Sequence, residues 1–230
     1  MIDKRKKYVL VIDIETANIV ENAIAYDIGF AIADKKGRIY DSYSYMVKEM
    51  FMYYQDLLST AYYSKKLPQY YADLCNQKRE LKSIYEIRRK IHNLMKLYNI
   101  TDVYAYNCFF DRGGLTNTIR YLTKSFCRWF FPYGTQFHCI WHMACQVLFT
   151  QKTFQKMAIQ NNWLSASGNI KTSAEIAYNY LHNTTEFQES HTGLEDVLIE
   201  CEIMARCFRQ HKKMDTSINR LCWKIPQQKK

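Results

Sequence analysis

Tyr8-Val-Leu-Val-Ile-Asp-Ile-Glu-Thr16 is an apolar run that ends on two acids, Asp13 and Glu15. A run of this kind reads as a strand buried on both faces. Residues two apart on a strand point the same way, so both carboxylates leave one face of it. Two acids at the end of a buried strand are unfavourable unless something positive lies between them. A divalent cation with oxygen ligands is one answer. The other is that the pair only marks where the strand leaves the core.

The chain has 230 residues, with 32 Lys and Arg against 22 Asp and Glu and a formal charge of +10. That length suits one domain with insertions and a substantial core, and the ordinary apolar fraction argues against disorder. Basic residues cluster at 4–7, at Lys35, Lys36 and Arg38, at 88–90, and at Lys212-Lys213. A basic surface around an acidic site suits a polyanion handled through its phosphates, although solubility explains the charge as well. The eight cysteines form no Cys-x-x-Cys pair. The N-terminus has no apolar core of a signal peptide, and no segment approaches the ~18 apolar residues of a membrane helix. The expectation is a cytoplasmic, reduced protein without membrane association, its cysteines packed as small hydrophobes. His138-Cys139-x-x-His142-x-x-Cys145 offers four zinc-ligand types within eight residues. Structural zinc sites draw on two separated pairs, so a strand-to-helix junction with core cysteines is the expected reading.

Outward from the first run, strands are expected over 7–16, 23–34 and 39–48, with Asp34-Lys-Lys-Gly37 turning the second into the third. Residues 50–80 are helical in character but irregular, and Pro68 breaks them. Ser83-Ile-Tyr-Glu86 is a capping box ahead of Ile84, Ile87, Ile91, Leu94, Met95 and Tyr98 at helical spacing. A fourth strand is expected over 102–107, a helix over about 115–124, and a fifth strand over 137–141. Thr172-Ser-Ala-Glu175 and Thr192-Gly-Leu-Glu195 read as two further capping boxes. The fold class is α/β: a mixed five-stranded sheet, three antiparallel strands then two parallel, flanked by helices. We expect a single domain over 1–230 with a helical insertion at about 49–100.

Two later segments bear on the acids. Ala105-Tyr-Asn-Cys-Phe-Phe-Asp111 sets Asp111 just past a strand C-terminus, where open α/β sheets bind ligands. Gly113-Gly114 would weaken a helix start there and allow close backbone approach. An ordinary strand-to-helix turn explains the segment equally well. In Ser190-His-Thr-Gly-Leu-Glu-Asp-Val197, His191 precedes the helix on a movable loop and Asp196 is held within it. Leu194, Val197, Leu198, Cys201, Ala205 and Phe208 form the main apolar stripe of that helix. Asp196 heads a second row with Ile199, Ile203 and Cys207. A helix apolar on two sides is sandwiched, and its Asp then needs a partner. A surface histidine remains the plain reading of His191 alone.

Taken together, Val-Ile-Asp-Ile-Glu-Thr, Tyr-Asn-Cys-Phe-Phe-Asp and His-Thr-Gly-Leu-Glu-Asp resemble the three motifs of the DEDDh family of 3′→5′ exonucleases, within the ribonuclease H-like superfamily that includes proofreading domains and ribonuclease T. The resemblance spans roughly 7–210, and a histidine five residues before the last Asp matches the h subclass. Residues 140–200 look most like phage-encoded members, and the long Tyr-rich segment 49–100 departs from compact ones. The resemblance implies two Mg²⁺ or Mn²⁺ ions held by Asp13, Glu15, Asp111 and Asp196, with His191 as general base. It implies terminal-nucleotide binding by Thr16, Ala17, Asn18, Asn107 and Phe110, and a single-stranded DNA 3′ end as substrate. The aromatic segment Phe126-Cys-Arg-Trp-Phe-Phe-Pro-Tyr133 and the tyrosines at 62, 63, 70 and 71 are either stacking platforms or core. An exoribonuclease, an idle nucleic-acid-binding module and a replisome subunit serving a polymerase in trans are the alternatives. The sequence is silent on oligomeric state.

Overall fold

The computed structural model describes residues 2–3, 5–123, 126 and 128–227; Lys4, Lys124 and Cys127, which carried expectations above, lie outside them. Strands β1 (Val9–Ala17), β2 (Ile24–Ala33) and β3 (Ile39–Val47) pair antiparallel in sequence, and Gly37 turns β2 into β3 at φ +81°. Three short helices follow: α1 (Lys48–Met52), α2 (Gln55–Leu58) and α3 (Leu67–Cys75). Strand β4 (Glu80–Lys82) leads into α4 (Ile84–Leu97), which Ser83 and Glu86 cap reciprocally as the sequence predicts. Then come β5 (Asp102–Ala105), α5 (Cys108–Leu122), β6 (Gln136–Cys139), α6 (Ile140–Val147), α7 (Lys152–Gln160), α8 (Ala174–His182) and α9 (Gly193–Arg209).

The sheet has six strands in the order β4-β3-β2-β1-β5-β6, with β5 parallel to β1 and β6 parallel to β5. The mixed ribonuclease H-like α/β sheet is as expected, with one strand more. That strand, β4, is three residues long and pairs parallel with β3 at the sheet edge. A Glu-Leu-Lys triplet carries too little alternation to announce a strand.

Alternation along β1 divides the core into two layers. Leu10, Ile12 and Ile14 pack with Ile28, Phe30 and Ile32 of β2 against α4 and α5. Val9 and Val11 pack with Ala31, Ala33 and Tyr104 against α6, α8 and α9. Asp13 and Glu15 continue the Val9–Val11 row, so they face the α9 layer. Six of the cysteines, at 108, 139, 145, 201, 207 and 222, are buried and free, and Cys75 is exposed. His138 bonds Asp102 and Thr216, and His142 bonds the Ser217 carbonyl, so these two rings are engaged away from the neighbouring thiols. Among the described residues, no helix is long and apolar enough to cross a membrane.

Several boundaries differ from expectation for local physical reasons. Helix α5 begins at Cys108 rather than near 115, which carries Asp111 and Gly113-Gly114 into its first two turns. The helix propensity lost at Gly114, about 1 kcal/mol, is offset by contact: a Cβ there would lie 2.5 Å from Ile14 Cδ1. The cap of α8 is Ser173, one residue on from the expected Thr172. Thr192 does stand at the N-cap of α9, but its hydroxyl bonds Glu195 instead of the backbone. Leu198, expected in the apolar stripe, is 41% exposed.

The closest approach of layers is glycine on glycine. A Cβ on Gly29 would fall 2.0 Å from the Gly193 carbonyl carbon, and one on Gly193 would fall 2.6 Å from the Gly29 nitrogen. Both obstacles are backbone, so neither can turn aside. Gly29→Ala is expected to destabilise the fold by about 3 kcal/mol or more. Gly113→Ala, where a Cβ meets nothing within 4 Å, should stabilise it by about 0.5–1 kcal/mol. Denaturant melts of the two variants check the pair, and equal effects would contradict the packing described.

Candidate active site

Asp13 and Glu15 lie opposite Gly29 and Asp27 of β2, next to the β5 side of the sheet where β1 ends. Helix α9 packs on this face from Gly29 toward the Gly37 turn, where Ala205 and Cys201 lie close to Gly37. It therefore runs with β2 and against β1. Asp111 reaches the same point from the other layer, lining it beside Ile14. The three sequence motifs thus meet in a cleft of about 430 Å³, whose lining includes Asp13, Glu15, Asp111, His191 and Asp196.

Within it, Glu15, His191 and Asp196 offer ligand atoms all within 4.8 Å of one another. Asp13 and Asp111 line the cleft beside that tight group. Asp196 is fixed by the Thr192 N–H at 3.2 Å and the Ser190 hydroxyl at 3.3 Å. His191 takes a left-handed backbone conformation, φ +51°, which histidine tolerates better than bulkier residues. Its ring lies parallel to that of Tyr63 at 4.0 Å between centroids, so the loop that was expected to move is braced.

The cleft concentrates negative charge: among the described residues no Lys or Arg lines it, whereas Glu189 and Glu200 do. Burial pushes the Asp13 carboxyl well above its usual range, and the charges of Glu200, Asp111, Glu15 and Asp196 push it further. Glu15 is raised to about 9 by burial and then by Asp196 and Asp27. Burial raises Asp111 to about 7, and Asp196 to about 6. His191 moves the other way, lowered first by burial and then by the Lys66 charge, so its ring is neutral at pH 7 with a lone pair to accept a proton. A thiol-free donor set of carboxylates with one imidazole, in a cleft that no Lys or Arg lines among the described residues, fits a hard divalent cation such as Mg²⁺ or Mn²⁺.

Of the expected nucleotide-binding residues, Thr16, Asn18, Asn107 and Phe110 line the cleft, whereas Ala17 is wholly buried in the core. Tyr62 and Tyr63 line it too. Tyr70 is buried on Asp27, and Tyr71 packs against Phe51. In the aromatic segment, Phe130 and Phe131 are core while Phe126, Trp129 and Tyr133 are exposed, and none lines the cleft. Tyr63, expected as either a stacking platform or core, is at the cleft, whereas Glu189 and Glu200 there escaped sequence reasoning. Tyr63 sits in an irregular segment with no periodicity to orient it. Glu200 follows Asp196 by four residues, and that i,i+4 spacing, flanked by Ile199 and Cys201, was a readable signal.

No protein-family model and no curated protein sequence matches the chain. Solved structures do share its fold. It is similar to a full-length 3′-exonuclease at 13% identity and TM-score 0.59, over 92% of this chain and 85% of that one. Against E. coli exonuclease I in complex with a dT13 oligonucleotide, identity is 13% and TM-score 0.54, over 87% of this chain and 41% of that one. Against a 3′-exonuclease described with 3′-end-specific recognition of histone mRNA stem-loop, identity is 13% and TM-score 0.50, over 89% and 64%. The chain thus spans under half of exonuclease I and under two thirds of the stem-loop-binding protein. At these identities the likeness is one of fold: this chain has the fold of 3′-exonucleases.

A carboxyl with a raised folded-state pKa keeps its proton in the fold at a pH where the unfolded chain has released it. Stability therefore falls as pH climbs from the ordinary carboxylate range to the folded value. For Glu15 that window reaches about 9, whereas the lowered histidines 92, 138 and 191 act below their ordinary value. Between pH 7 and 8.5 the metal-free protein is expected to lose about 1 kcal/mol or more per pH unit. Saturating Mg²⁺ or Glu15→Gln should flatten the slope. Thermal melts in EDTA across that range test this, and a level or rising profile would contradict the charge arrangement described.

Proposed function

We propose that the protein is a metal-dependent 3′→5′ exonuclease that hydrolyses phosphodiester bonds from the 3′ end of single-stranded DNA and releases nucleoside 5′-monophosphates. The observation that carries this reading is the meeting of Asp13, Glu15, Asp111, Asp196 and His191 in one cleft that no Lys or Arg lines among the described residues. A binding module for a polyanion has no use for such a constellation.

Asp13, Glu15, Asp111 and Asp196 would hold two divalent ions. When bound, the ions supply an activated water and neutralise charge at the scissile phosphate and the leaving 3′-oxygen. Neutral His191 takes the proton from the attacking water as its oxygen bonds to phosphorus and the bond to the 3′-oxygen breaks. Tyr63 keeps the imidazole in one orientation. Thr16, Asn18, Asn107 and Phe110 line the space for the terminal nucleotide, and Ala17 contributes only backbone. The net basic surface draws in the rest of the strand.

The fold neighbours include one with a bound DNA oligonucleotide and one that recognises an mRNA stem-loop, so the test has arms for both. With 5′-labelled single-stranded DNA, duplex DNA and RNA in Mn²⁺, single-stranded DNA is expected to shorten from its 3′ end fastest. Asp13→Ala and Asp196→Ala should abolish cleavage while leaving the protein folded. His191→Ala should slow it by ~10²–10⁴-fold. Preferential trimming of RNA would reassign the substrate, and binding without Mg²⁺-dependent cleavage of any arm would make this an idle binding module. A His191→Ala enzyme as fast as the parent would remove the base assignment.

A further inference from the structure

Glu200 is, with Glu189, one of two acids in the cleft outside the three sequence motifs. It is 3% exposed, and its Oε2 has no hydrogen-bond partner. Of the buried unpartnered side-chain atoms among the described residues, which also include Tyr26 Oη, Asp27 Oδ1 and Arg206 Nε, it alone belongs to a residue lining this cleft. Tyr106, just beyond β5, lines the cleft beside it. Oε2 is thus shut off from water without a partner of its own. A carboxyl shared with a neighbour by a proton would donate a hydrogen bond to it, and Oε2 has none. Leaving a buried acceptor unmatched costs about 1–3 kcal/mol, more when it is charged, so the fold keeps Oε2 free for something it does not itself contain.

The spacing says where that something sits. Four residues of α9 rise about 6 Å from Asp196 to Glu200. Asp13 and Glu15, two residues apart on β1, are separated by about 6.6 Å. Because α9 runs against β1, one helical turn aligns Asp196 with Glu15 and Glu200 with Asp13. That spacing would put Glu200 on the Asp13 and Asp111 side of the cleft, beside Glu15, Asp196 and His191, whose ligand atoms lie within 4.8 Å of one another.

We propose that Glu200 is a metal-holding residue, giving its free Oε2 to the divalent cation on the Asp13–Asp111 side of the cleft. This rests on the metal-dependent reading above and extends it from four acids to five. The added ligand makes that side a cation site of high negative charge, filled before the nucleic acid arrives.

The test is a titration of the full chain with Mn²⁺ alone, with free Mn²⁺ counted by electron paramagnetic resonance. The wild-type protein should bind two ions. Glu200→Gln should keep one at the parental affinity and weaken the other tenfold or more. Glu200→Asp, which keeps the charge but retracts the oxygen by one methylene, should fall between. Melting in EDTA checks that each variant is folded, and Mn²⁺ should raise the melting temperature of Glu200→Gln less than that of the parent. If Glu200→Gln does not fold, Glu200→Asp decides. Two ions bound by the folded variants with parental affinities would overturn this proposal and leave the nuclease reading standing. A wild-type protein that binds no Mn²⁺ would overturn both.

Discussion

The arrangement depends on one close contact, the backbone of Gly193 on the backbone of Gly29. Only two residues without side chains let a helix start directly on a strand. The contact sets the height of α9 above the sheet, and hence the distance from Asp196 to Glu15. Asp27 completes the contact by accepting the Gly193 N–H at 3.0 Å and the Tyr70 hydroxyl at 2.7 Å. A free N–H at the start of α9 is thus satisfied from β2, across 166 residues of chain, while the Thr192 hydroxyl turns to Glu195. Arg79 closes the assembly, reaching Asp27, Asp73, Ser44 and both oxygens of Glu195. A buried guanidinium with several acceptors suits this role, because its fork can serve more than one carboxylate at once.

With the layers pinned, the acids have nowhere to retreat. A flexible site could spread its carboxylates into water; this one holds Glu15, Asp196 and Glu200 each at less than a tenth exposed. The cost of burying like charges is borne by the rest of the fold. It shows in the raised pKa values of the carboxyls and in an unmatched oxygen on Glu200. A cation placed among such carboxyls would offset that cost.

The segment between β3 and α4 takes part in this coupling. It supplies Tyr63 to the His191 ring, Tyr70 to Asp27, and Arg79 to both Asp27 and Glu195. Thr60 accepts the backbone N–H of Asn18, tying the chain after β1 to the same segment. Its irregular helices act as a clamp over one side of the cleft. Tyr63, by stacking on the His191 ring, fixes the plane in which that ring lies.

The sequence by itself determined the elements that local periodicity encodes and the chemistry that residue types imply. The run at 8–16 is too apolar to be anything but a buried strand, and its alternation put Asp13 and Glu15 on one face. The Ser83–Glu86 box marked the start of α4 because capping is a contact between residues three apart. The order of the acids and His191 along the chain was likewise legible. Tertiary structure alone decided what depends on partners far away in the chain. Helix α5 continues through Gly113-Gly114 because Gly114 packs on Ile14, a contact that propensity cannot anticipate. Strand β4 exists because the edge of β3 offers it a ladder. Ala17 is core and Tyr63 is at the cleft because of how the layers close. Glu200 looked like one more charge on a helix, and it became a site residue only when α9 was laid against β1 at a height fixed by two glycines.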